Sequence, residues 1–212
     1  MCIRDSKSKR RRFEADAEGA STGAAPFTFF YHGGMLLRKG VPQMLEAYNA
    51  AFKGSDNVEL VVHSVYGDPP VIDVLKKHTK AAMADRNLPR LKLDRRRLSP
   101  TEMSEMYLHA DVLVHSSLSE GLGLGVIEAM AHGLPVIASD YGPPADFVTR
   151  DNGFLFPANE SPCSSYPCSK DSRMVFSQDW TTTSDLVWGN YSSKALARAM
   201  RSAYDSRASL PE

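Results

Sequence analysis

The sequence predicts an α/β fold, a doubly wound, Rossmann-like parallel sheet covered on both faces. Short apolar runs alternate with amphipathic segments long enough to cross over a sheet. Connections of that length join parallel neighbours, and a parallel sheet has to be covered by helices on both sides. Glycine and polar residues gather where the apolar runs end, which is the end of the strands at which such sheets bind ligands.

The first strand is FTFFYH (27–32), rich in aromatic residues and broken by Gly33-Gly34. After Lys39-Gly40 a helix is expected from about Pro42 to Phe52. Val41, Met44, Leu45, Tyr48 and Phe52 form its apolar stripe, with Pro42 in the first turn and Gly54 at the stop. VELVVHSV (58–65) reads as the second strand, VIDVLKKHTKAAMAD (71–85) as a helix and RLKLD (90–94) as the third strand. Ser99, Pro100 and Glu102 carry the signature of a capping box and open a helix to about His109. DVLVHSS (111–117), LPVIAS (134–139) and FLFP (154–157) supply three more strands, with the helix GVIEAMAHG (125–133) between the first two. A last helix, SSKALARAMRSAYDS (192–206), places Leu196, Ala199, Met200 and Ala203 on one face. No internal repeat is visible, and the stretch from about Asn159 to Asn190 has no periodicity, so it is expected to be an irregular insert.

The 212 residues are 42% hydrophobic and 24% charged, the profile of one globular domain with ragged ends. The formal net charge is zero, so no nucleic-acid partner is expected and no general attraction to anionic membranes. Arg4, Lys7, Lys9, Arg10, Arg11 and Arg12 crowd the start and read as a disordered tail, with a localisation signal or nucleic-acid contact as the alternative. MCIRDS resembles translated sequencing adapter, so the natural gene is expected to begin upstream. Residues 13–25 are small and polar, a linker, which leaves residues 26–212 as the domain. No apolar run approaches the roughly 18 residues of a membrane span. No integral membrane segment is therefore expected, and the location is read as cytoplasmic, with the sequons at Asn159 and Asn190 pointing weakly to the secretory pathway. Cys163 and Cys168 could form a disulfide or stay free thiols, and no spacing of His or Cys supports a metal site.

The chemistry concentrates between Glu120 and Glu128. Gly121, Gly123 and Gly125 alternate with leucines, which lets backbone approach a ligand and exposes its N–H groups. The loop runs into a helix whose positive end favours a phosphate. Glu120 on the loop and Glu128 about one turn into the helix set a carboxylate on either side of that nest. Carboxylates accept hydrogen bonds from neutral hydroxyls, so the arrangement suits a sugar and a ribose flanking a diphosphate. Strand, glycine-rich loop, helix, strand and Asp140 also sketch a NAD(P)-type dinucleotide-binding unit. That fingerprint wants G-x-G-x-x-G directly after the strand. Here Gly121 and Gly123 are followed by Val126, and Gly123 and Gly125 by Glu128, whose carboxylate would crowd the helix–strand packing and repel pyrophosphate. A dinucleotide-binding domain and a non-catalytic sugar-binding module stand as the alternatives.

With seven residues between them inside SEGLGLGVIEAMAHGLPVIAS, Glu120 and Glu128 resemble the glutamate pair of family 4 glycosyltransferases of the GT-B fold. ADVLVHSS (110–117), AMAHGLPVIASD (129–140), YHGGMLLRKGVPQMLEAY (31–48) and NGFLFPA (152–158) resemble the blocks around that pair, so the resemblance covers roughly residues 27–158. It implies the carboxy-terminal, donor-binding half of the fold. Glu120 would then be catalytic, contacting the donor sugar near its anomeric carbon, and Glu128 would bind the ribose hydroxyls. Gly33 and Gly34 would give the donor room, Lys39 would neutralise the departing diphosphate, and the N–H groups of Gly123 and Leu124 would donate to sugar or phosphate oxygens. Gly34 stands where the family usually has an arginine, and Arg38 is the candidate replacement. Asp140-Tyr141-Gly142-Pro143-Pro144 departs from the usual paired glycines and is left outside the site. Arg95, Arg96 and Arg97 fall near the family's base-binding region but read mostly as packing or solvent-facing, and His32, His63, His109 and His132 as packing or surface. The resemblance further implies a whole enzyme that moves a sugar, with retention, from a nucleotide-diphosphate sugar to an acceptor glycan or other hydroxyl compound. No cofactor is expected beyond that donor substrate. An acceptor domain is expected amino-terminal to this chain, which alone should bind nucleotide sugar weakly and turn it over negligibly.

Overall fold

The structure is a computed structural model of the chain and describes residues 24–162 and 187–208. The basic start, most of the linker after it, Cys163, Cys168 and the middle of the insert lie outside the described residues.

Six strands make one parallel sheet: β1 (Phe27–His32), β2 (Val58–His63), β3 (Arg90–Asp94), β4 (Val112–His115), β5 (Val136–Ser139) and β6 (Gly153–Phe156). Their order across the sheet is β3-β2-β1-β4-β5-β6. Among the described residues five α-helices accompany them: α1 (Val41–Ala51), α2 (Pro69–Ala84), α3 (Pro100–His109), α4 (Leu124–Ala131) and α5 (Ser193–Asp205). Because successive strand residues face opposite sides, the sheet divides two cores. Phe29, Leu60, Val62, Val112, Val114 and Ile137 pack with α1, α2 and α5, while Phe30, Val61, Leu113, Val136 and Ala138 pack with Tyr107 of α3 and Val126 and Ala129 of α4. This is the doubly wound arrangement expected.

Local chemistry sets the ends of the elements. In the capping box of α3 the Ser99 N–H donates to the Glu102 carboxylate (2.7 Å), and the Glu102 N–H donates to Ser99 Oγ (3.3 Å). Ser192 caps α5 by accepting from the Ala195 N–H. β2 stops at His63, two residues earlier than the apolar run suggests. Ser64 Oγ there donates to the Tyr66 carbonyl (2.7 Å), which also accepts the Met35 N–H (3.0 Å), so the chain turns rather than pairing. β4 stops at His115 because the hydroxyls of Ser116 and Ser117 donate to the carbonyls of Lys39 and Arg38.

The insert is more regular at its ends than its sequence suggests. β7 (Asn159–Pro162) and β8 (Val187–Asn190) pair antiparallel. Most of these residues are exposed, so backbone hydrogen bonds rather than burial hold the ladder, and no apolar alternation marks it.

The connections run outward from β1 to β2 and β3, then return to β4 on its other side. Loops leaving the carboxyl ends of β1 and β4 therefore diverge, and a crevice opens between them.

Candidate functional site

The β1 and β4 loops are laced together before any side chain enters the crevice. The Leu118 N–H donates to the Arg38 carbonyl (2.8 Å), and Ser116 Oγ donates to the Lys39 carbonyl (2.8 Å). Tyr191 Oη donates to the Ser116 carbonyl, and the Gly189 N–H of β8 donates to the Leu118 carbonyl (2.8 Å). Gly40 sits inside this network with φ +64°, and a Cβ there would lie 2.0 Å from the Ser116 carbonyl oxygen. Only glycine fits that conformation and that space.

The lacing brings Lys39 to Glu120. The Lys39 ammonium donates to the Glu120 carboxylate, and the two side chains are 16% and 17% exposed. Burial pushes the Glu120 carboxyl up, but the hydrogen bond and charge of Lys39, joined by His115 and Arg38, outweigh it and hold the group below the usual carboxylate range. His115, at the end of β4, is pushed down to about 4, chiefly by burial, so its ring is neutral at pH 7. Its Nε2 is buried without a hydrogen-bond partner among the described residues.

On the other side of the crevice α4 begins. Gly123 is its N-cap in a left-handed conformation, φ +77° and ψ +48°, and Pro144 packs against it. First-turn N–H groups of a helix have no intrahelical acceptor, and Leu124 and Gly125, which open α4, line the crevice. Glu128, one turn further on, accepts from Tyr107 Oη (2.8 Å). The Tyr107 ring lies between His32 (centroids 6.1 Å, 5° between planes) and His132 (5.1 Å, 25°), which fixes where its hydroxyl points. Burial, reinforced by Glu128, pushes the Tyr107 hydroxyl upward, so it stays protonated and donates.

Gly33, Gly34, Lys39, Glu120, Gly123, Leu124 and Glu128 all line one cavity of about 420 Å³. Every residue that the sequence placed at the donor, apart from Arg38, is thus brought to a single concavity. Arg38 is turned away: its Nη1 donates to the Ser119 carbonyl (3.0 Å) and it does not line the cavity. Among the described residues Lys39 is the cavity's only lysine or arginine. Arg96 is held by the Asp94 carboxylate (2.6 Å) and Arg95 reaches the Val65 carbonyl, consistent with packing and solvent-facing roles.

Several residues at the site were not legible as such. His32, read as packing, lines the cavity with a buried Nδ1 that has no hydrogen-bond partner among the described residues. Tyr66, Tyr107 and His115 enter through tertiary contacts. The Tyr141–Pro144 loop lines a smaller cavity of about 130 Å³ that shares His115, Ser117 and Glu120 with the first, so this loop adjoins the site. Gly142 and two prolines in tandem were the available signal. A larger cavity, about 640 Å³, lies at the opposite, amino-terminal ends of β5 and β6 against α5, away from these groups. Among the described residues no three His, Cys, Asp or Glu cluster as a metal site, and no helix is long and apolar enough to cross a membrane.

A crevice at the switch between β1 and β4, a helix N-terminus and two flanking carboxylates define a nucleotide-type ligand site on a Rossmann-like sheet. Residues 14–163 match the family model described as glycosyl transferases group 1, and the chain belongs to that family. It is 46% identical over 63 residues to the sulfoquinovosyl transferase of Arabidopsis thaliana, a match covering 28% of this chain and 12% of that protein. It is 47% identical over 60 residues to the GDP-mannose-dependent alpha-mannosyltransferase of Mycobacterium tuberculosis (strain CDC 1551 / Oshkosh), covering 28% and 16% respectively. Both curated relatives are therefore far longer than the part this chain matches. Among solved structures, the C-terminal domain of a glycosyl transferase group 1 family protein from Francisella tularensis shares the fold with a TM-score of 0.51 at 23% identity, over 86% of this chain and 87% of that one.

Proposed function

We propose that this chain binds a nucleotide-diphosphate sugar and serves as the donor half of a retaining glycosyltransferase. The observation that carries the reading is the convergence of Lys39, Glu120, Glu128 and the N-terminus of α4 on one cavity. In this reading the sugar lies at Glu120, the diphosphate over Lys39 and the first N–H groups of α4, and the ribose at Glu128. As the bond from the anomeric carbon to the diphosphate breaks, negative charge grows on the leaving oxygen. Lys39 and the helix dipole are already oriented toward it. The acceptor hydroxyl would come from a second domain of the whole enzyme. The Mycobacterium tuberculosis relative is named for a GDP-mannose donor, which supports a nucleotide sugar as the ligand class.

Calorimetric titration with UDP, GDP and NADH tests the reading. UDP or GDP should bind, and Glu128→Ala should weaken that binding by roughly tenfold, the loss of one or two hydrogen bonds to a charged group. Preferential binding of NADH, or a Glu128→Ala variant with unchanged affinity for every nucleotide, would overturn it. Efficient sugar transfer by this chain alone would contradict the need for a second domain.

A further inference from the structure

We infer that Tyr66 is the stacking platform for the nucleobase of the donor, an inference that rests on the donor-binding reading above. Tyr66 lies just after β2, and its ring lines the same cavity as Lys39, Glu120 and Glu128 while staying 60% exposed. Its backbone is fixed: the carbonyl accepts both Ser64 Oγ and the Met35 N–H, and Gly67 bridges to Met35. A single exposed aromatic residue needs no explanation by itself. Its seat does. The ring rests directly over Gly34, where a Cβ would lie 2.6 Å from Tyr66 Cε2, so the missing side chain at 34 is what admits the ring.

The order of the strands then places the ligand. Across the carboxyl edge from β4 to β1 to β2, the loops present Glu120, then Gly34, then Tyr66. A donor with its sugar at Glu120 and its diphosphate over Lys39 extends along that line, and its base arrives at Tyr66. No arginine lines the cavity among the described residues to offer a guanidinium face instead. An aromatic ring stacks on any base through its π-face, so this contact contributes affinity with little preference among bases.

The test uses the full chain with UDP or GDP, whichever binds more tightly, and inorganic pyrophosphate. Ligand-observed saturation-transfer NMR should show transfer to the base protons at least equal to that on the ribose. Tyr66→Ala, checked for an unchanged melting temperature, should lower nucleotide affinity roughly tenfold and leave pyrophosphate affinity unchanged, while Tyr66→Phe should match the unaltered chain. Unchanged nucleotide affinity in Tyr66→Ala would overturn the inference. So would equal weakening of nucleotide and pyrophosphate, since the ring would then only hold the Gly33-Gly34 loop. Failure of the unaltered chain to bind UDP or GDP would remove the donor-binding reading itself, and this inference with it.

Discussion

Lys39 and Glu120 form an ion pair between two loops 81 positions apart in the chain. Each side chain is largely buried, so the pair neutralises two charges that would be costly alone. It also places a cation and a carboxylate side by side, where the sugar of the proposed donor would meet its diphosphate.

Lys39→Ala should therefore separate phosphate binding from base and ribose binding. Removing a charged donor costs about 1.5–3 kcal/mol, so affinity for UDP or GDP should fall roughly tenfold to a hundredfold. Affinity for the parent nucleoside should change little. Calorimetry on the four combinations of protein and ligand measures both. Equal losses for nucleotide and nucleoside would mean that Lys39 supports the loop rather than the diphosphate.

The neutral state of His115 predicts a pH dependence with a definite sign. An unfolded histidine titrates near 6.5, whereas His115 in the fold is held down to about 4, chiefly by burial. Between those values the unfolded chain binds more protons, so stability falls as pH drops through this window, by on the order of 3 kcal/mol in total. Glu102 and Glu120, both held below the usual carboxylate range, add losses that set in only as pH falls through the unfolded glutamate pKa, about 4.3, with Asp94 following at lower pH still. Urea midpoints measured from pH 7 to pH 4 should decline, and His115→Asn should flatten most of the slope. His32, also lowered by burial and by its neighbour His63, contributes to what remains. A slope that His115→Asn leaves intact would assign the effect elsewhere.

The sheet, its helices and the Glu120–Glu128 loop could be read from sequence because each is encoded locally. The short apolar runs of the strands, the Ser99–Glu102 capping box and the alternating glycines need only neighbours in the chain. The partners that complete the site do not. Nothing near Glu128 announces that Tyr107, 21 positions earlier, will donate to it. Tyr66 meets Gly34 only because β2 lies beside β1. Arg38 could have pointed into the crevice as far as composition shows. The Ser119 carbonyl, positioned by the β4 loop, takes it instead.

Tyr107→Phe should act on ribose recognition more than on stability. Glu128 is exposed, so water can replace the lost hydroxyl and the melting temperature should change little. The carboxylate loses its fixed orientation, however. Preference for UDP over 2′-deoxy-UDP should shrink two- to fivefold, the value of about 0.5–1 kcal/mol for one hydrogen bond. Glu128→Ala should remove that preference altogether. An undiminished preference in Tyr107→Phe would show that Glu128 needs no help from α3.

Gly40 offers the sharpest test of how the two loops are joined, because Gly133 serves as its control. Both glycines are left-handed, with φ +64° and +73°. Alanine at either site must adopt that conformation, at about 1–2 kcal/mol. At Gly133 nothing lies within 4 Å of the added Cβ, so the cost should end there. At Gly40 the Cβ would lie 2.0 Å from the Ser116 carbonyl oxygen and 2.4 Å from Tyr191 Oη. The β1 and β4 loops would have to part, breaking the bonds from Ser116 to Lys39 and from Tyr191 to Ser116. Gly40→Ala should therefore be destabilising by about 2 kcal/mol or more beyond Gly133→Ala in urea unfolding, given two lost hydrogen bonds at roughly 1 kcal/mol each. It should also weaken UDP binding, because Lys39 moves with the loop, while Gly133→Ala leaves binding unchanged. Equal stability losses in the two variants would mean that the crevice does not depend on this close approach of backbone to backbone.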